Sequence, residues 1–399
     1  MYFKRETRPE FPLLTGGGGE VIKIPLLHYS TRRDVSNNYK FSVFLYELLI
    51  LECYHHLMKS SQVTIHDIAR MLNISASTVS RALSNNPRIS KKTREKVANL
   101  AEKLNYQPNI VASNLRTGKS KTIGVIVPHL NRNFFSNVIG GIEQTASNAG
   151  YRVIVAQTHE NYEKEVECVR ALINARVDGI LISISGGTYN IEHLKLIKNS
   201  NIPLLFFDRV NEEIEANKVM IDDFQGAFKA VSHLISEGFK KIVHFAGPIH
   251  INVYRNRMLG YKDALKKNKL AFNEKLIFQD CLTEDKGWRA CEAFMKLKDR
   301  PDAIFSASDI SALGAIKYLK ANKYKISEDC AIVGFANEPF TSIMEPGLTS
   351  VDQNSIEIGR EVAQLFLNEI NQNSATNDYK SLIIEPELII RESSLKKNR

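Results

Sequence analysis

The chain has 399 residues, 43% hydrophobic and 24% charged, a length beyond one ordinary core that suits a small module plus one large or two medium domains. Its formal net charge of +9 is not spread evenly: residues 58–121 hold 12 Lys or Arg against 3 Asp or Glu, whereas 1–57 hold 7 against 6 and 122–399 hold 34 against 35. A compact segment with that much local positive charge is held together against its own repulsion, which points to a polyanion partner whose counterions it displaces.

Residues 1–57 differ from the rest, with a glycine run at 16–19 and no sustained period. Met58 is expected to be the natural start, with 1–57 a translated leader or disordered arm; the alternative is a short helix over 41–57. Residues 58–108 read as a small all-α module. Thr64 with Asp67 three residues on forms an N-cap pair, and Ile65, Ile68, Ala69 and Leu72 share one face of the helix that follows. Asn73 suits a left-handed turn and Ser75 caps a second helix with Val79, Ala82 and Leu83 inward. Ser90 caps a third, with Val97, Leu100, Ala101 and Leu104 inward. Residues 109–121 follow as a short hinge helix and linker, with too few apolar residues to stand alone as a folded helix.

From 122 to 399 the pattern alternates β and α. Short β-branched runs at 122–127, 152–156, 179–184, 203–208, 241–245, 303–305 and 331–335 are separated by amphipathic helical stretches. Continuous apolar strands between helices predict parallel sheets covered on both faces. The expected core is two doubly wound units, with the ligand site at the carboxyl ends of their strands where they face each other.

Within the head, the second helix offers short polar side chains near its N-terminus, where they reach base edges in a major groove: Ala76, Ser77, Thr78, Ser80 and Arg81. Arg88, Lys91, Lys92, Arg94, Arg116, Lys119 and Lys121 are placed to neutralise flanking phosphates. Two short helices alone also fit an ordinary helical hairpin; the charge segregation and the third helix favour DNA.

The core carries no G-x-G-x-x-G, P-loop, G-x-S-x-G or H-E-x-x-H pattern, so no enzyme, cofactor or metal site is expected. The Asp222–Asp223 pair reads as a helix cap after a strand rather than an acid/base pair. The adjacent His55 and His56 read as solvated. Trp288 reads as core. Five scattered cysteines (Cys53, Cys168, Cys281, Cys291, Cys330) without a C-x-x-C pair fit a reducing compartment. No apolar run reaches the ~18 residues of a membrane span, the nearest being 41–51, which carries Glu47. The first thirty residues lack the basic region and apolar core of a secretory signal, so the cytoplasm is the expected location and no membrane partner is expected.

The run TIHDIARMLNISASTVSRALSNNPRISKKTREKV, followed by LNYQPNIVASNLRTGKS, resembles the DNA-binding head and hinge of the lac repressor (LacI-type) transcription regulators. The later pieces VDGILIS, IPLLFFDR, RNRMLGYKDAL, PDAIFSASDISALGAI and LTSVDQ resemble that family's effector-binding core, and the resemblance spans about residues 62–395. It implies two subdomains of the periplasmic-binding-protein type with chain crossovers near 220 and 350, and a homodimer whose heads bind a near-palindromic double-stranded DNA operator. It adds Thr64 and Ser75 to the DNA-facing set. It makes Asn109–Leu115 a hinge helix on DNA, with Asn109, Ala112, Leu115 and Arg116 at the duplex and Leu115 wedged into a minor-groove step.

For the effector, the resemblance selects Phe134, Phe135, Asp208, Arg209, Arg257 and Asp309. These residue types suit a polyhydroxylated ligand, with aromatic faces on the ring and Arg and Asp fixing hydroxyls. Each also has a structural alternative: Arg257 and Asp309 pairing with one another or capping helices, Phe134 packing in the core. Ala336 departs from the family, in which many members carry Asp at that position. With Arg209 and Arg257 in the cleft and no carboxylate at 336, the sequence predicts a positive site and an acidic or phosphorylated sugar rather than a neutral one. The rival classes are a periplasmic solute-binding protein, which would lack the basic head, and a Rossmann-type enzyme, which would need the missing glycines.

Overall fold

The computed structural model describes residues 63–107, 119–371 and 379–396. The expected leader at 1–57 and the expected hinge residues Asn109, Ala112, Leu115 and Arg116 lie outside the described residues. The chain divides into two compact units near residue 109.

The first unit contains three helices, α1 (Ile65–Leu72), α2 (Ala76–Leu83) and α3 (Lys91–Lys103). Each begins where a side chain satisfies an orphan amide. Thr64 and Asp67 form a reciprocal capping box, Ser75 Oγ accepts from Thr78 N at 3.2 Å, and Ser90 Oγ accepts from Thr93 N at 3.2 Å. Thr64 also holds the Asp67 carboxyl below its ordinary value by hydrogen bonding to the charged form. Asn73 ends α1 with φ 51°, the left-handed conformation that Asn tolerates and a β-branched residue does not. Ile68, Ala69, Val79, Ala82, Val97 and Ala101 close one small core.

The second unit holds two six-stranded sheets. In chain order its elements are β1 (Thr122–Val127), α4 (Asn133–Asn148), β2 (Arg152–Gln157), α5 (Tyr162–Asn174), β3 (Gly179–Ile182), α6 (Glu192–Asn199), β4 (Leu204–Phe207), β5 (Asn217–Ile221), α7 (Asp223–Ser236), β6 (Ile242–Phe245), α8 (Asn252–Lys267), β7 (Ile277–Phe278), α9 (Glu284–Met295), β8 (Ala303–Ser306), α10 (Asp309–Ala321), β9 (Ala331–Phe335), α11 (Phe340–Ile343), β10 (Thr349–Asp352), α12 (Ser355–Asn371), β11 (Ser381–Ile384) and β12 (Glu387–Ile389). The first sheet runs β11-β5-β4-β3-β1-β2 and is parallel throughout; the second runs β12-β10-β9-β8-β6-β7. Strands such as β1, β3, β4, β6 and β8 are buried along their whole length, as their mostly apolar sequences require of sheets covered on both faces.

Two features differ from the sequence expectation. The chain passes between the sheets three times, not twice: after β5, after β10, and again in the short step from β11 to β12. In addition, β12 pairs with β10 antiparallel, so the second sheet is not purely parallel. Both depend on the last strands, which are short, β11 largely exposed and β12 mostly half-buried, and so lack a fully buried apolar run. The second crossing sends α12 back against α4, where Gly359 meets the Val138 carbonyl so closely that any Cβ would collide with it. Trp288, expected in the core, lies half-buried on α9 with its ring edge-on to Tyr318 at 5.4 Å, packed against the second subdomain's core from outside.

Candidate functional site

In the head, α2 carries the polar set along its length, from Ala76 in the first turn to Arg81 in the last. Ser77 and Arg81 are exposed, while Ala76, Thr78 and Ser80 are half-buried. Ser75 Oγ lies 2.8 Å from both Ser77 Oγ and Thr78 Oγ1, so these hydroxyls share one cap network. The Thr64 hydroxyl is committed to Asp67 at 2.6 Å. Arg88 and Lys91 are exposed, but Arg94 is half-buried and donates from Nη1 to the Asn85 carbonyl at 3.1 Å, bracing the turn after α2.

In the core, a cavity of about 270 Å³ opens at the carboxyl ends of the strands, between the two subdomains. The first subdomain supplies His129 and Arg132 after β1, Phe134 and Phe135 at the start of α4, Glu160 after β2, and Asp208 and Arg209 after β4. The second supplies Tyr254 and Arg257 from α8, Thr283 before α9, Ser308 and Ile310 around the start of α10, Phe335, Ala336 and Glu338 at the end of β9, and Gln353 after β10. Phe134 and Phe135 meet edge to face at 5.1 Å and belong at once to the cavity wall and to the hydrophobic core. The two alternatives for Phe134 are thus both realised.

The arginines do not stand alone. Arg209 donates from Nη1 to both Glu160 oxygens, at 2.9 and 2.7 Å, and its Nε lies 3.9 Å from Asp208. Burial works against the Glu160 charge, yet Arg209 and the Gly186 amide carry its carboxyl below the ordinary value. Arg257, only 5% exposed, donates from Nε to Asp223 at 2.7 Å and from Nη1 to the Ala307 carbonyl at 2.8 Å, with its guanidinium 3.7 Å from the Phe335 ring centroid. Burial pushes the Asp223 carboxyl up to about 7 while Arg257 pulls the other way. Burial also raises Asp208 and Glu338. The positive excess expected from Arg209, Arg257 and Ala336 is therefore offset, because each arginine has its own carboxylate, the half-buried Glu160 and the buried Asp223. Sequence reasoning missed Glu160 altogether and read Asp223 as part of a cap. Asp222 is the cap, accepting from Gln225 N at 2.9 Å, whereas Asp223 turns inward.

Asp309 needs a further correction: it does not line the cavity. Its side chain is fully buried beneath the wall, taking the Glu338 amide at 2.9 Å and the Ser350 hydroxyl at 2.8 Å. Gly334 passes so close to Asp309 Oδ1 that no Cβ fits. Asp309 thus ties α10 to the end of β9 and pairs with no arginine. Next to it Ala336, at φ 124°, occupies a conformation that side-chain-bearing residues rarely adopt, and Asn337 holds it there through bonds to Ser350 and Asp352 at 2.9 and 2.7 Å.

Burial pushes the Asp309 carboxyl up to about 7. A carboxyl raised from about 4 in the unfolded chain binds its proton more tightly when folded. Its stabilising contribution is full below about pH 4 and is lost as pH rises through about 7. Urea unfolding between about pH 5 and 8 should show wild type losing stability more steeply than Asp309→Asn. Parallel curves would show that Asp309 is ionised throughout.

Across the cavity rim the subdomains are fastened directly. Asn252 Nδ2 donates to the Asp208 carbonyl at 3.0 Å and its Oδ1 accepts from Val210 N at 3.2 Å; Arg255 reaches Glu212 at 2.6 Å.

Residues 120–392 match the family described as periplasmic binding proteins and sugar binding domain of LacI family, and residues 64–109 match the lacI family of bacterial regulatory proteins. The chain belongs to the lacI family. It is a DNA-binding transcription regulator, with a helix-turn-helix head and a periplasmic-binding-protein-like core. Catabolite control protein A of Priestia megaterium is 32% identical over 321 residues, 80% of this chain and 96% of the relative. The HTH-type transcriptional repressor CytR of Escherichia coli K12 is 32% identical over 337 residues, 84% of this chain and 97% of the relative. Among solved structures, a lac repressor dimer bound to operator and the anti-inducer ONPF aligns with TM-score 0.74 at 25% identity, covering 84% of this chain and all of that one. The CelR–cellobiose complex aligns with TM-score 0.63 at 26% identity, covering 83% of this chain and all of that one. Among the described residues no helix is long and apolar enough to cross a membrane.

Proposed function

We propose that this lacI-family chain is a cytoplasmic, homodimeric repressor whose paired heads bind a near-palindromic operator, and whose cleft takes a neutral sugar-like effector. The exposed Ser77 at the start of α2 and Arg81 in its last turn read base edges, and Arg88 and Lys91 contact phosphates. The lac repressor dimer on its operator supports the dimeric arrangement, and the cellobiose complex of CelR supports a sugar in the cleft. No catalytic step and no cofactor are assigned to the core.

The observation that carries the effector reading is the pairing of Arg209 with Glu160 and of Arg257 with Asp223. A ligand anion would have to compete with carboxylates already in place, whereas a neutral polyol uses the unspent donors and acceptors of the cleft and lays its apolar face on Phe134. A cavity of about 270 Å³ is at the lower end for ligand sites, favouring one ring over two. Ligand in the cleft shifts the closure of the subdomains by binding one state better than the other.

Operator binding should weaken steeply with salt, log K falling by about 0.9 per neutralised phosphate for each unit of log salt. Filter binding or fluorescence anisotropy across a salt series checks this, and salt-independent binding would sink the DNA reading.

A further inference from the structure

The chain from the head enters the core at Ser120, and there it is gripped by one side chain. Asp178, in the loop between α5 and β3, accepts from Ser120 N at 2.6 Å and Ser120 Oγ at 2.8 Å through Oδ1, and from Lys121 N at 3.0 Å through Oδ2. Its own amide donates to the Thr122 carbonyl at 2.8 Å. Lys121 then sits at φ 51°, with its ammonium 4.2 Å from the Tyr151 ring centroid, and its carbonyl accepts from Arg152 N at 2.9 Å. Ser120 is buried. Both oxygens of a carboxylate are thus spent on fixing the path of two residues just before the first strand.

The second subdomain contains an internal control. Asp302 accepts from Lys240 N and Lys241 N, at distances between 2.8 and 3.2 Å, and donates its amide to Lys241 O at 3.0 Å. The two carboxylates share one local job, ordering the start of a parallel strand. They differ in what lies upstream: before Lys240 the chain is α7 of the same core, whereas before Ser120 it leads to the head. Only the Asp178 clamp also holds a hydroxyl, Ser120 Oγ.

We propose that Asp178 is a positioning residue for operator binding: it fixes the point and direction from which the DNA-binding segment leaves the core. The inference rests on the DNA-binding reading above. The β3 strand that Asp178 precedes ends at Ile182, and the loop after it carries Gly186, whose amide donates to Glu160 at 2.6 Å, the carboxylate that holds Arg209 in the cleft. The linker clamp therefore lies at the amino end of β3, and the loop leaving its carboxyl end touches the effector wall. A shift of that strand moves the exit point of the linker as a rigid element. With the clamp loosened, the two heads of a dimer lose their fixed spacing, so simultaneous engagement of both half-sites weakens while single-head phosphate contacts persist.

The test compares full-length wild type, Asp178→Asn and Asp302→Asn. A DNA fragment is first enriched from a random-sequence pool by wild type, and affinities for it and for unselected DNA of equal length are then measured at one salt concentration. Asn keeps the shape but turns one acceptor into a donor facing an amide, so both variants should lose thermal stability. Asp178→Asn alone should lower the ratio of specific to nonspecific affinity, by on the order of tenfold. A ratio unchanged in Asp178→Asn, or lowered equally in Asp302→Asn, overturns the proposal. Where Asp178→Asn fails to fold, Ser120→Ala removes one bond of the clamp and is judged by the same ratio. A wild type that enriches no sequence at all overturns the DNA-binding reading, and this inference with it.

Discussion

Asp223→Ala is expected to destabilise the core by about 3–5 kcal/mol, the usual cost of removing one partner of a buried ion pair. Arg257 would remain buried at 5% exposure, keeping the Ala307 carbonyl, the faces of Phe335 and Tyr254 and the more distant Asp208 as weaker compensation for its charge. None of these replaces a carboxylate at 2.7 Å. Urea unfolding followed at Trp288, the single tryptophan, packed against the second subdomain's core, gives the measurement. Replacing both partners together with Asp223→Leu and Arg257→Met should recover much of the loss, because well-packed apolar groups of similar volume often equal or exceed a buried pair. A single Asp223→Ala change of less than about 0.5 kcal/mol would show that Arg257 is solvated by other means, and the charge-balanced reading of the cleft would fall with it.

The head was legible because its signals are local. Thr64 with Asp67, Ser75, Asn73 and Ser90 sit within four residues of the amides they cap or the turns they form, and the sequence shows those neighbours directly. The core strands were legible for a related reason: a strand buried on both faces must be apolar throughout, as in 122–127 and 204–207. Strand β5 reads NKVMI and opens on two polar residues, so it carried no such mark, and β11, largely exposed, and β12, mostly half-buried, lie at the sheet edges.

The site was legible only in part. Glu160 lies 49 residues from Arg209 and Asp223 lies 34 from Arg257, and no spacing rule connects them. One signal did exist at Asp223. It heads the stripe Gly226, Ala227, Ala230, Val231 and Leu234, all buried at helical spacing, and a carboxylate at the head of an apolar stripe requires a buried partner. Asp309 misled for the opposite reason. The resemblance placed it in the cleft, but one layer beneath the wall a fully buried carboxyl serves backbone amides and a serine equally well.

The largest effect on ligand choice is expected at Glu160. Glu160→Gln keeps the side chain's shape but removes the charge that accepts both bonds from Arg209 Nη1. Arg209 is 6% exposed, and a buried guanidinium that has lost its carboxylate attracts an anion more strongly than one in bulk water. Asp208 is a poor substitute, since it lies 3.9 Å from Nε and burial raises its pKa. A uronate or sugar phosphate can then supply the missing charge through a bidentate contact with the guanidinium. Calorimetric titration of wild type should find a neutral sugar bound more tightly than the corresponding uronate or phosphate. In Glu160→Gln the order should reverse, with neutral affinity falling and acidic affinity rising by about tenfold each, or about 1.4 kcal/mol in either direction. Wild type that already prefers the uronate rejects the neutral effector. A variant with the wild-type preference intact shows that Arg209 is satisfied without Glu160, and moves the choice of ligand to Arg132 and Glu338, which interact within the same cavity.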